Sequence, residues 1–295
     1  MGNHIFYIVD VFTKEKYAGN QLAVIICKKE ISNQEMQKIA REINFSETTF
    51  ILSEIKRNDG YDVKIFTPEV EVPFAGHPTL GTAYIIQSEI IKTPIKELIL
   101  NFQVGQISVK ISYDKGKIDN LWMEQLEPIF GICFEPEPIL ELLNLKKSDL
   151  DDRFPIQEVS TGLPHIIVPL KSLDSIKRAR VIKDKYFNLI KSTNAKALLL
   201  FCNETYDDVN DLNVRMFADF YGISEDPATG SGNGCLAGYL IKHNYFNKNE
   251  INIRVEQGYE IGRKSLLFLN TKKQNGKINV KVGGNVVIIA KGEIL

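Results

Sequence analysis

Two short stretches, about half a chain apart, place small residues and one reactive side chain ahead of an apolar, helix-like run. The first is Pro73-Phe74-Ala75-Gly76-His77 and the second is Pro227-Ala228-Thr229-Gly230-Ser231. A loop of this kind at a helix start exposes backbone N–H groups and the positive end of the helix dipole. Two such loops facing one cleft would suit a carboxylate or a developing enolate. The side chains at the matched position are His77 and Ser231. Asp226 stands immediately before Pro227, and Glu47 lies in Ser46-Glu47-Thr48-Thr49-Phe50. Imidazole, hydroxyl and carboxylate groups are the material of proton transfer near neutral pH.

Taken singly, each of these residues has an ordinary structural role. A glutamate at the start of a strand usually faces water. Asp226 before Pro227 is a common turn and cap residue. His77 at a helix start reads as a capping or turn residue, and Ser231 as an N-cap. If Glu47 is desolvated by Phe45 and Phe50, burial favours the protonated carboxyl, as an acid/base requires. A helix N-terminus beside His77 favours the neutral imidazole. His77, Asp226 and Ser231 are also the ingredients of a hydrolase triad, although Ser231 sits in Gly-Ser-Gly-Asn-Gly and not in a G-x-S-x-G elbow.

Gly230-Ser231-Gly232-Asn233-Gly234 resembles the C-G-N-G loop of diaminopimelate epimerase, with Ser in place of the thiol. That enzyme uses one thiol from each half. His77 holds the other paired position here, so a two-thiol racemase mechanism is excluded. The whole set resembles the phenazine-biosynthesis PhzF-like family, which shares the epimerase fold. The matching residues are Asp10-Val11-Phe12-Thr13 with Gly19-Asn20, Ser46 to Phe50, Pro73 to Gly81, and Glu225 to Ser231, in family order.

The resemblance implies an α+β fold of two pseudo-symmetric domains, each a curved, mostly antiparallel sheet around a central helix. It implies a cofactor-independent isomerase, commonly a homodimer, with its site in the interdomain cleft. It assigns Glu47 as the acid/base that moves a proton between carbons. His77, Asp226 and Ser231 would be its catalytic companions, with Asn20, Ser46, Gly76, Gly230 and Gly232 contacting a small carboxylate substrate. Two departures bear on the substrate: Gln21 stands where Pro is usual, and Asn233-Gly234 replaces small apolar residues. The alternatives left open are a hydrolase with Ser231 as nucleophile, and a small-molecule-binding protein that keeps the cleft without catalysis.

The elements that must position these residues follow from hydrophobic periodicity. Strands are expected at 5–11, 22–26, 48–52, 61–66, 98–102, 107–111 and 121–123. Ser32 and Glu35 have the capping-box spacing, with Met36, Ile39, Ala40 and Ile43 following at helical intervals. Pro78 suits the first turn of a helix through Ile86. In the second half, strands are expected at 156–159, 166–168, 197–201, 214–217, 251–255, 265–269, 278–282 and 286–289. Helices are expected at 186–192 and 235–241, and Asn275-Gly276 signals a hairpin. The order strand, Pro-x-x-Gly loop, helix occurs in both halves, and internal duplication explains it most simply. The stretch 127–137 carries Pro128 and Pro136 and reads as a linker, giving domains 1–127 and 128–295, with the last strands free to return to the first.

The chain has 295 residues, a length suited to two domains of about 150. Lys plus Arg number 36 and Asp plus Glu 37. This balance lacks the basic excess of a nucleic-acid binder. The four cysteines form no C-x-x-C pair and lie in apolar stretches, so they are expected as buried free thiols. His4 and His243 read as surface or helix-end residues, and His165 as a residue able to line the cleft. The lone Trp122 reads as core, and Lys177-Arg178-Ala179-Arg180 as a solvated face. No G-x-G-x-x-G or Walker pattern occurs, so no nucleotide cofactor is expected, and with no C-x-x-C pair no metal is expected either. Without a signal-peptide pattern or a membrane-length apolar run, a cytoplasmic location is expected.

Overall fold

The computed structural model describes residues 3–295 and separates into two compact units. One comprises the chain up to Met123 together with Gly283–Leu295, and the other Glu124–Val282.

The N-terminal unit begins with the antiparallel pair β1 (His4–Val11) and β2 (Asn20–Ile26). Helix α1 (Asn33–Ile43) follows, its first turn closed by Ser32 Oγ accepting the Glu35 N–H at 3.2 Å. Strand β3 (Thr48–Ile51) lies parallel to β2, with Ala23 beside Thr48, and β4 (Tyr61–Phe66) returns antiparallel. The short β5 (Glu71–Val72) turns the chain into α2 (Gly76–Ile85), which continues as a π-helical turn over Ile86–Ile91. Strand β6 (Glu97–Phe102) runs parallel to β4, and β7 (Gly105–Asp114) and β8 (Lys117–Glu124) complete a meander.

The C-terminal unit repeats this plan. Strand β9 (Ile129–Phe134) and α3 (Pro136–Leu142) lead to the pair β10 (Ile156–Ser160) and β11 (Pro164–Pro169). Helices α4 (Leu173–Arg178) and α5 (Lys183–Ile190) stand where α1 stands in the first unit. Strand β12 (Ala197–Cys202) is parallel to β11, and β13 (Leu212–Ala218) is antiparallel to β12. Short β14 (Ile223–Asp226) precedes α6 (Gly230–Lys242); β15 (Glu250–Gln257) is parallel to β13, and β16 (Ser265–Gln274) and β17 (Lys277–Gly284) follow. Asn275 and Gly276 form the turn between them with φ of 52° and 82°, the left-handed pair a tight hairpin needs. The last strand, β18 (Val286–Ile294), pairs with β1, as β9 pairs with β10.

The repeat extends to individual contacts. At the same step of the parallel pairs, Asp62 faces Asn101 and Asn213 faces Glu256. Asn101 Nδ2 donates to Asp62 at 2.8 Å, and Asn213 Nδ2 donates to Glu256 at 3.1 Å. Each pair also holds the loop before its strand: Asn101 reaches the Arg57 carbonyl at 2.7 Å, and Glu256 accepts the N–H groups of Tyr206 and Asp207 at 2.8 and 2.9 Å.

Helices α2 and α6 are apolar on nearly every face because each is the core of its unit. Gly81 of α2 has no room for a side chain, since a Cβ would lie 2.5 Å from Leu22 Cδ2. A second cluster, with Phe50, Phe66, Met36 and Ala40 buried, seats α1 on the sheet. Each such aromatic contributes about 1.5–3 kcal/mol on burial. No helix among the described residues is long and apolar enough to cross a membrane.

Three sequence-based expectations change. The 127–137 stretch is not irregular, because Pro128 precedes β9 and Pro136 is the first residue of α3. Prolines at element boundaries frame a strand without removing a ladder hydrogen bond. Cys27, Cys202 and Cys235 are buried, but Cys133 is exposed, because β9 turns it outward. His4 is buried within β1 and accepts the Lys28 N–H at Nδ1, at 3.3 Å.

Candidate active site

In the N-terminal unit, Asn44 ends α1 with a left-handed φ of 57°, and the chain then turns into β3. Ser46 and Glu47 occupy this turn, with Glu47 immediately before Thr48 of β3. His77 is the second residue of α2, after the N-cap Ala75 and Gly76. The turn and the helix start bring Glu47 Oε2 to 3.5 Å from His77 Nε2, with side-chain exposures of 17% and 7%. Asn20, the first residue of β2, is buried opposite Val11.

Burial pushes the His77 imidazole down from 6.5 to about 3, against the effect of its hydrogen bond to the Gln21 backbone. The ring is therefore neutral near pH 7, so its contact with Glu47 is not an ion pair. A bond that favours the protonated ring is one in which the ring donates, here to the Gln21 carbonyl. Nε2 has no hydrogen-bond partner, so a ring that donates to Gln21 does so through Nδ1 and leaves its Nε2 lone pair facing Glu47.

The Gly76 and His77 N–H groups, in the first turn of α2, have no intrahelical acceptor, and the N-cap Ala75 has no side chain to cap them. Helix α6 starts in the same way. Its N-cap is Thr229, whose hydroxyl makes no cap bond, with Gly230 first and Ser231 second. Ser231 thus occupies in α6 the position that His77 occupies in α2, and neither residue is the cap.

In the C-terminal unit, Asp226 closes β14 opposite Met216 and is 5% exposed. Thr229 Oγ1 donates a hydrogen bond to Asp226 Oδ2. Gln257, the last residue of β15, is wholly buried beside this loop. Its Oε1 accepts from the Thr229 N–H at 3.2 Å and from Asn233 Nδ2 at 2.9 Å. Its Nε2 donates to the Asp226 carbonyl at 2.9 Å and to Thr229 Oγ1 at 3.0 Å. Asn233 also donates to the Thr229 carbonyl at 3.0 Å. The Asn233 departure noted in the sequence therefore braces the loop from inside.

His165 lies beneath the first turn of α6, not on an open surface. It is 0% exposed, its Nδ1 is 3.0 Å from the Leu163 carbonyl, and burial lowers its imidazole to about 4. A Cβ on Gly232 would come within 2.9 Å of Leu199 Cδ1 and 3.2 Å of His165, so Gly232 lets α6 approach β11 and β12. No histidine of this unit hydrogen-bonds Ser231, so the nucleophile–base contact of a hydrolase is not formed there. No group of three or more His, Cys, Asp or Glu side chains among the described residues is arranged to hold a metal ion.

The expected residues thus form two groups. Glu47, His77, Gly76, Ser46 and Asn20 belong to the N-terminal unit, and Asp226, Gly230, Ser231 and Gly232 to the C-terminal unit. Sequence reasoning missed Thr229 and Gln257. The available signal was a glutamine beside a glycine just past an expected strand, Gln257-Gly258.

Residues 9–292 match the family described as "Phenazine biosynthesis-like protein", PhzC-PhzF. An uncharacterised isomerase of Clostridium acetobutylicum is 33% identical over 298 residues, covering 98% of this chain and 97% of that protein. The trans-2,3-dihydro-3-hydroxyanthranilate isomerase of Pseudomonas chlororaphis is 32% identical over 293 residues, covering 99% of each. A crystal structure of a PhzF-family phenazine biosynthesis protein from Bacillus anthracis aligns over 100% of both chains, with a TM-score of 0.91 at 27% identity. The fold is the α+β, epimerase-like one that the sequence motifs imply.

Proposed function

This chain belongs to the phenazine biosynthesis-like family of isomerases, and we propose that it shifts a proton within a small carboxylate substrate, with Glu47 as acid and base. The observation that carries this reading is the Glu47–His77 contact of 3.5 Å with a neutral imidazole. An ionised Glu47 accepts a proton from carbon. The resulting acid can donate to the Nε2 lone pair, which gives the mobile proton a defined resting geometry until it returns to another carbon of the same substrate.

Removal of a proton beside a carboxylate puts charge on its oxygens. In this reading the uncapped N–H groups at the starts of α2 and α6 receive that charge, with Ser231 as a further donor. Asp226 is the second ionisable group, suited to orienting a cationic or hydroxyl substituent. Because the Pseudomonas relative carries its name, trans-2,3-dihydro-3-hydroxyanthranilate is the first compound to test.

In D2O, the wild-type protein should exchange deuterium into this compound during turnover. Glu47→Gln should keep the fold and the binding and lose both exchange and turnover. Unchanged turnover in that variant overturns the assignment.

A further inference from the structure

The equivalent strands β6 and β15 end on different residues, Phe102 in one unit and Gln257 in the other. Each touches the loop that leads into the central helix. Phe102 packs edge-on against Phe74, with ring centroids 6.1 Å apart. Gln257 makes four hydrogen bonds to residues 226–233, as described above. The N-terminal loop is thus held by an apolar contact and the C-terminal loop by a saturated polar one.

The chemistry of that polar contact is directional. The Gln257 amide uses both of its N–H groups and both acceptor sites, its full capacity. One N–H donates to Thr229 Oγ1, leaving the Thr229 hydroxyl proton to point at Asp226 Oδ2. The other fixes the Asp226 backbone carbonyl. The chain Gln257, Thr229, Asp226 is buried throughout, where such chains polarise each bond in turn. A buried amide that only filled the core would not need all four partners on one eight-residue loop.

We propose that Gln257 is a positioning residue for the reaction: through Thr229 it sets the carboxylate of Asp226 and the first turn of α6, and so the geometry of the C-terminal half-site. This rests on the proposed isomerase reading, in which Asp226 and the α6 start meet the substrate. Gln257 itself touches no reacting atom.

The test combines structure and kinetics. Gln257→Met keeps the volume and removes every hydrogen bond. In its crystal structure Asp226 and Thr229 should part, and the first turn of α6 should move. With trans-2,3-dihydro-3-hydroxyanthranilate as the probe, kcat should fall about 10- to 100-fold, with KM changing less, because misplacement by about 1 Å costs that much. The double variant Asp226→Asn with Gln257→Met should lose less than the product of the two single losses, since part of the Gln257 effect runs through the Asp226 carboxylate. If Gln257→Met fails to fold, Gln257→Glu keeps the two acceptor contacts, loses the two donor contacts, and should show the same displacement and the same loss. An Asp226 left in place, or losses that multiply in the double variant, overturns the inference. A wild-type protein that leaves the probe unchanged counts against the proposed reaction alone; the crystal structures then decide whether Gln257 positions Asp226.

Discussion

Acidification should reveal His77 as a buried, neutral imidazole. Its pKa falls from 6.5 to about 3 on folding, so the unfolded chain binds more protons wherever the pH lies between those values. Stability should therefore be complete above about pH 6.5 and decline as the pH drops toward 3. At pH 4.5, two units below the unfolded value, His77 alone costs about 3 kcal/mol at 1.36 kcal/mol per unit. His165, lowered to about 4, acts in the same direction. Replacing His77 with Gln removes the first contribution and leaves the second. Denaturant unfolding at pH 7.5 and pH 4.5 should thus show the variant losing about 3 kcal/mol less than wild type across that interval. Histidine-labelled NMR supplies the direct observation, because the chain has only four histidines. The His77 ring should keep an Nδ1-protonated, neutral signature from pH 8 to pH 5. A His77 signal that titrates at or above 6.5, or an equal pH dependence in both proteins, refutes the reasoning. It would mean that Glu47 holds His77 as an imidazolium and that the lone pair is not available.

Two further outcomes are expected. Gly232→Ala should destabilise the protein by about 1–3 kcal/mol in chemical denaturation, because the new methyl meets Leu199 at 2.9 Å and His165 at 3.2 Å beneath α6; a change under about 0.5 kcal/mol would show that α6 can slide away from β11 and β12. A thiol reagent should label one cysteine rapidly in the native protein, Cys133, and the other three only on unfolding, since burial pushes Cys27 and Cys202 up to about 12 and Cys235 to about 11; mass spectrometry of the labelled peptide checks it.

Most strands were legible because alternation and β-branched runs report a half-buried pleated surface regardless of what packs on them. The start of α6 was not. Gly230, Ser231, Gly232, Asn233 and Gly234 are weak helix formers, and periodicity places the helix from Cys235. Helix α6 nevertheless begins at Gly230, because its glycines admit close neighbours: Leu199 and His165 at Gly232, Gln125 and Thr161 at Gly234, Pro128 at Gly238. Packing outweighs propensity there. The exposure of Cys133 was hidden for a related reason, since an apolar neighbourhood in the chain does not reveal that β9 faces outward.

By itself the sequence determined the repeated plan, the pair of glycine-bearing loops ahead of the two central helices, and the matched residue types in them, His77 and Ser231. These are local properties, set by spacing and by the backbone conformations that glycine and proline permit. Only the tertiary structure decided which groups meet. Glu47 and His77 are 30 positions apart in sequence and 3.5 Å apart at their side-chain tips, because a turn after α1 and the start of α2 converge. Gln257 reaches Asp226 because β15 lies beside β13. The neutrality of His77 likewise belongs to the fold, since desolvation depends on every element packed around the ring and on no single neighbour in the chain.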